Sequence, residues 1–214
     1  MDTDTVVLSA FSALLGAFLG YVFALRAARR QRLHEGKQQA YESMFPKIQE
    51  SIDIMGEILA IEDLELEGGE KAQGQLVRLM RPLWVLGIDA GISELGGQLE
   101  GFTGKKPTVE LLESVKNTVS AWLVIEFYGL VRDLRYDFAG LEFTPPAQDV
   151  KTKLDKVLSM MGGDELTLSL RSLVRGSGLS GMLSDVDLKG RADAYRTALS
   201  ELRDAMKTDL VRTL

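Results

Sequence analysis

From Val6 to Leu25 the chain carries no charged residue for twenty positions. At about 1.5 Å of rise per residue, a helix of that length spans the roughly 30 Å hydrocarbon core of a bilayer. A cleaved signal peptide fits less well. The residues before the run include Asp2 and Asp4 and no Lys or Arg, the run exceeds the usual apolar region of such peptides, and the small residues after it are interrupted by charge. The reading is therefore a retained membrane helix, with an anchor over residues 1–26. Arg26, Arg29, Arg30, Arg32 and Lys37 lie beyond the run and no basic side chain precedes it. The excess of positive charge on one flank places the N-terminus outside and the remainder in the cytoplasm, on the inner membrane as a single-pass protein. The same side chains are candidates for contact with lipid headgroups. Within the run, Ser12, Gly16, Gly20 and Ala24 recur every fourth residue. They share one helical face, and small residues allow helices to approach closely in lipid.

Beyond the anchor the chain has helical period and no segment of strand period. Tyr41, Phe45, Ile48, Ile52, Met55 and Leu59 step by four and three, the spacing of a bundle or a short coiled coil. This predicts a helix from Ala27 to about Glu62, disturbed at Pro46. A second helix is expected from about Lys71 to Gly101. Its Gly87, Gly91, Gly96 and Gly97 lower its helix propensity, so close packing and a bend near Gly87 or Gly91 are both expected. Pro107 suits the first position of a third helix reaching about Gly140. Its centre, Ala121-Trp122-Leu123-Val124-Ile125, reads as apolar all round and therefore central. Thr144-Pro145-Pro146 should open a short amphipathic helix, and Asp164 a further one to Arg175. Residues 176–186 read as a glycine-rich joint. The last helix, within 187–214, carries Leu188, Ala192, Tyr195, Leu199, Leu202 and Met206 at the same bundle spacing, suited to pairing with the first. The fold class is thus all-α: one membrane helix running on into a cytosolic helical bundle over 27–175, with the C-terminal helix packed on it.

Composition excludes whole classes of chemistry. There is no cysteine and one histidine, His34. Thiol nucleophiles, thiolate metal sites and paired-imidazole sites are ruled out. The net charge of −6 gives no general nucleic-acid footprint. Gly101-Phe102-Thr103-Gly104-Lys105-Lys106 has the wrong glycine spacing for a phosphate loop, and Gly176-Ser177-Gly178-Leu179-Ser180-Gly181 lacks the preceding strand a dinucleotide site requires. The acids Glu62, Asp63, Glu65 and Glu67 lack the spacing of a calcium loop. Glu126, inside the most apolar stretch after the anchor, is a candidate buried carboxylate, with Arg78 and Arg81, or Arg132 and Arg135 further on, as candidate partners.

Lys37-Gln38-Gln39-Ala40-Tyr41-Glu42, the stretch Leu83 to Ile92, and Leu130 to Asp137 together resemble a broad group of small prokaryotic proteins. These carry one N-terminal membrane helix, a basic exit and a helical bundle. The resemblance covers about residues 1–140 and implies no activity. The functional expectation is a non-catalytic, membrane-tethered helical subunit acting as scaffold or regulator in a membrane assembly, without a cofactor. Its contacts are expected with the bilayer, and with a protein partner or further copies through the membrane helix and the heptad-like stripes. The alternative is an oligomeric membrane effector, channel-like, with a sensing bundle.

Overall fold

The computed structural model describes residues 3–100, 107–143, 146–162 and 187–212. Side chains are described from residue 20 onward, apart from 70, 98, 100, 142, 143, 161 and 162. The chain is all-helical over these residues. Among the described residues there are six α-helices: α1 (Thr3–Glu62), α2 (Ala72–Leu86), α3 (Asp89–Glu100), α4 (Val109–Ala139), α5 (Gln148–Gly162) and α6 (Leu188–Arg212). Short 3-10 turns at Gly69–Lys71 and Gly140–Phe143 adjoin α2 and α4. The expectations placed on Thr144 and Pro145, on the helix from Asp164 to Arg175 and on the joint at 176–186 fall outside the described residues.

Cross-helix contacts set the topology. Lys37 pairs with Asp209, Gln49 with Arg203 and Asp63 with Lys189, so α6 runs antiparallel to α1. Lys47 pairs with Asp137 at 2.6 Å and Glu62 with Lys116 at 3.2 Å, so α4 is antiparallel to α1 as well. Lys153 and Lys156 both reach Glu201 while the Ala147 N–H before α5 reaches Asp209, so α5 lies antiparallel along α6. The helices α2 and α3 cover the other flank of α4.

The two heptad-like stripes meet inside this frame. Tyr41, Ile48, Ile52 and Met55 are buried, as are all six of Leu188, Ala192, Tyr195, Leu199, Leu202 and Met206. Met44, Ile54, Ile58 and Ile61 widen the buried face of α1 beyond the predicted stripe. Phe127 of α4 contacts Tyr195 of α6 edge-on at 5.0 Å between ring centres, closing a single core among α1, α4 and α6. Both stripes therefore pack largely within the chain itself, with Phe45 and Leu59 of the first one half-buried. Pro46 does not end α1; it is exposed, as is Glu42, whose carbonyl loses its backbone donor.

The second predicted helix is two helices, and the reason is Gly87. Its φ of 67° lies in the left-handed region, its N–H bonds back to Trp84, and the Ile88 N–H reaches Leu83 at 2.9 Å. That double bond is a Schellman ending, which favours glycine because it has no Cβ. Gly91 serves the close packing: a Cβ there would lie 3.0 Å from the Trp122 ring. Thr108, and not Pro107, starts α4, its hydroxyl accepting from the Leu111 N–H. Asp187 caps α6 in the same way through the Gly190 N–H.

Candidate functional site

The most constrained polar site lies where α1 joins the bundle. Lys37 is 8% exposed and Asp209 4%. The Lys37 Nζ donates to both carboxylate oxygens of Asp209, at 3.2 and 3.1 Å. The Tyr41 hydroxyl, one turn further along α1, donates to Asp209 Oδ2 at 2.8 Å. The Ala147 N–H, at the start of α5, donates to the same oxygen at 3.1 Å. One carboxylate therefore ties three helices together, and its charge sits favourably at the N-terminus of α5.

Burial alone raises the carboxyl pKa of Asp209. The hydrogen bonds from Tyr41, Ala147 and Lys37, with the Lys37 charge, outweigh it and hold the group below the ordinary carboxylate range. Burial, then the hydrogen bond and charge of Asp209, push the Tyr41 hydroxyl well above the usual phenol range. The hydrogen bonds that hold Asp209 ionised also hold the Tyr41 proton in place, which suits a fixed junction between helices. This corrects the role expected for Lys37: it is an internal ion-pair partner and is not available to headgroups. The sequence signal is its spacing of four from Tyr41, which puts it on the same buried face.

Above this junction α1 leaves the bundle. Arg26, Arg29, Arg30 and Arg32 are exposed, as are Tyr21, Phe23 and Leu25, with Phe23 at 65%. Gly20 and Ala24 are exposed, and a Cβ added at Gly20 would meet nothing within 4 Å. The side chains of Ser12 and Gly16 lie outside the described residues. Among the described residues no helix is long and apolar enough to cross a membrane. Most of the Val6–Leu25 run belongs to residues whose side chains are not described.

Glu126 is exposed, as are Arg78 and Arg81, so the expected buried charge does not exist. The stretch around it is apolar on three sides only. Glu126 lies on the outward line that continues through Asp133 to Tyr136, while Leu123, Val124 and Phe127 turn inward. The buried carboxylate is instead Asp209, masked in sequence by a charged last helix. Among the described residues no group of three His, Asp or Glu side chains is placed to hold a metal ion. The glycine-containing stretches at 101–106 and 176–181 lie outside them.

A cavity of about 20 Å³ lies between Met55, Ile58, Phe127, Tyr128, Arg191 and Tyr195. It has room for about one water molecule. An open groove of about 730 Å³ runs between the acidic residues after α1 and the first turns of α2. No family model, curated protein or solved structure matches the chain.

Proposed function

We propose that the protein is a membrane-tethered, non-catalytic helical interaction module, a scaffold or regulatory subunit of a membrane-associated assembly, with its N-terminus outside the inner membrane and its bundle in the cytoplasm. The observation that carries this reading is the stalk: α1 continues past the bundle with Tyr21, Phe23 and Leu25 exposed and four arginines beneath them. A water-exposed apolar helix of this kind is costly unless something covers it. Its continuation is the uncharged run of residues 6–19, which suits a bilayer.

The unbroken helix gives such a tether a use. About 18 Å of helix separates Leu25 from Lys37, where the Asp209 cluster fixes α1 to the bundle. Movement or pairing of the membrane segment is thereby passed to the bundle as a rigid displacement. The test is flotation of the full chain with vesicles, followed by alkaline carbonate extraction. The chain is expected to float and to stay with the lipid. Recovery in the soluble fraction overturns the proposal.

A second reading, an oligomeric membrane effector, is favoured by the small, unoccupied face at Gly20 and Ala24. It expects Gly16→Ile with Gly20→Ile to abolish ion leakage through vesicles holding the protein. Vesicles that never leak contradict it.

A further inference from the structure

Away from the stalk, three of the five exposed large hydrophobic side chains among the described residues lie on α2, the other two being Tyr136 on α4 and Val211 on α6. Val77, Trp84 and Val85 are 52%, 49% and 69% exposed. At 100° per residue they share an arc of about 120° with Gly74, Arg78 and Arg81, a stripe some 16 Å long. From Ala72 to Leu86 there is no carboxylate, although the chain as a whole carries net charge −6. Arg78 and Arg81 form no ion pair among the described residues, whereas most lysines facing another helix do.

An acidic strip lies beside this face. Asp63, Glu65 and Glu67 are exposed and form one wall of the open groove whose other wall is Lys71, Gly74, Gln75 and Arg78. The strip is fixed in place: the Gln75 side chain donates to the Glu65 carbonyl at 2.8 Å and accepts from the Glu67 N–H at 2.9 Å. Asp63 and Glu67 have partners in Lys189 and Lys71, while Glu65 holds no ion pair among the described residues. The acidic strip lies at the end of the bundle furthest from the stalk, since Glu62 is about 38 Å along α1 from Lys37, and Arg78 of the α2 face lines the same groove.

We infer that the outer face of α2 is a self-association surface whose partner is a second copy of this chain. The inference rests on the tethered reading above. Two copies held in one bilayer meet only through features at equal distance from it. A two-fold axis normal to the membrane then sets the basic, aromatic face of each copy against the acidic strip of the other. Trp84 and the two valines form the apolar centre, and Arg78 and Arg81 set register against Glu65 and Glu67. Three helical turns make a small interface, short of the roughly 800 Å² per partner of free-standing complexes, so the tether supplies the effective concentration. A phosphate polymer suits the face less well, because two arginines on an acidic protein neutralise few phosphates.

The experiment is a charge swap on the full chain in lipid nanodiscs, with mass read on single particles and helicity checked by circular dichroism. Wild type is expected as a dimer. Arg78→Glu with Arg81→Glu, and separately Glu65→Arg with Glu67→Arg, should each weaken it at least about tenfold. Mixing the two swapped proteins should restore a mixed dimer. Trp84→Ala should weaken the dimer without altering its salt sensitivity. A dimer indifferent to both swaps, swapped proteins that fail to pair with each other, or a monomer in every case overturns the inference. Those results leave the tethered reading standing if the chain still floats with vesicles. A chain that does not float at all defeats the tether itself.

Discussion

The two halves of α1 are one helix in two surroundings. From Lys37 to Glu62 its inward side chains are among the most deeply buried in the protein, Tyr41, Ile48 and Ile54 included. From Gly20 to Leu33 almost every side chain is exposed, the aromatic ones among them. Helix propensity does not distinguish the halves. The difference lies in where the apolar residues fall: a stripe on one face below Lys37, and all round above Arg26. A stripe is satisfied by neighbouring helices, whereas an all-round surface is satisfied by a solvent that is itself apolar. Lys37 marks the change, and its charge is kept inside only because Asp209 meets it.

That contrast is broken most severely at the junction. Asp209→Ala leaves Lys37 buried without a counter-charge and should lower unfolding free energy by about 3–5 kcal/mol, measured by urea denaturation. Replacing both partners, Lys37→Met with Asp209→Leu, should recover most of that loss, although Tyr41 and the Ala147 N–H lose an acceptor. A double replacement as unstable as Asp209→Ala would mean that the cluster acts through its hydrogen bonds more than its charges.

Next in size is a matched pair of truncations on the one helix. Ile48→Ala, in the bundle half, should cost about 2–5 kcal/mol. Phe23→Ala, in the stalk half, should leave the urea midpoint unchanged and instead reduce retention by vesicles. Equal effects on the midpoint would show that the stalk folds back on the bundle.

Acid sharpens the contrast less strongly. The Asp209 carboxyl is held below its ordinary pKa, so it binds protons less readily folded than unfolded. Its contribution is complete above the ordinary carboxylate value of about 3.9 and is lost as pH falls through the depressed one. Stability of the wild type should therefore decline below about pH 4, and the Asp209→Asn variant should lack that portion of the decline. Parallel pH curves for the two would contradict it. The smallest effect belongs to Glu126→Ala, which sits on an exposed line of α4 and should leave the midpoint where it was.

These contrasts also show how much the residues alone reveal. The helical class, the two stripes and the pairing of the first and last helices follow from apolar spacing alone, because burial of a stripe demands a partner stripe; the antiparallel direction comes only from the cross-helix pairs. The break at Gly87 is legible as one of two glycine positions, and only the hydrogen bonds of its ending decide between them. Glu126 misleads because five apolar neighbours suggest burial, yet a helix presents every third or fourth residue to the same side whatever lies between. Asp209 is hidden because Lys-Thr-Asp in a charged terminal helix looks solvated. Its burial depends on Lys37 and Ala147, 172 and 62 residues away, a relation that local pattern cannot hold. The α2 face escapes notice for a different reason: a buried Glu126 would claim Arg78 and Arg81 as partners, and their own helix then looks fully occupied.

Everything proposed turns on α1 carrying the chain across a bilayer with the bundle on the inner side. The sequence contains no cysteine, so single cysteines report position without background. Thr3→Cys and Lys207→Cys, each in otherwise native protein in intact cells, are to be labelled with a membrane-impermeant maleimide before and after lysis. The tethered topology predicts that the Thr3 position labels in intact cells and the exposed Lys207 position only after lysis. Labelling of Lys207→Cys in intact cells, or protection of both positions until lysis, would contradict it.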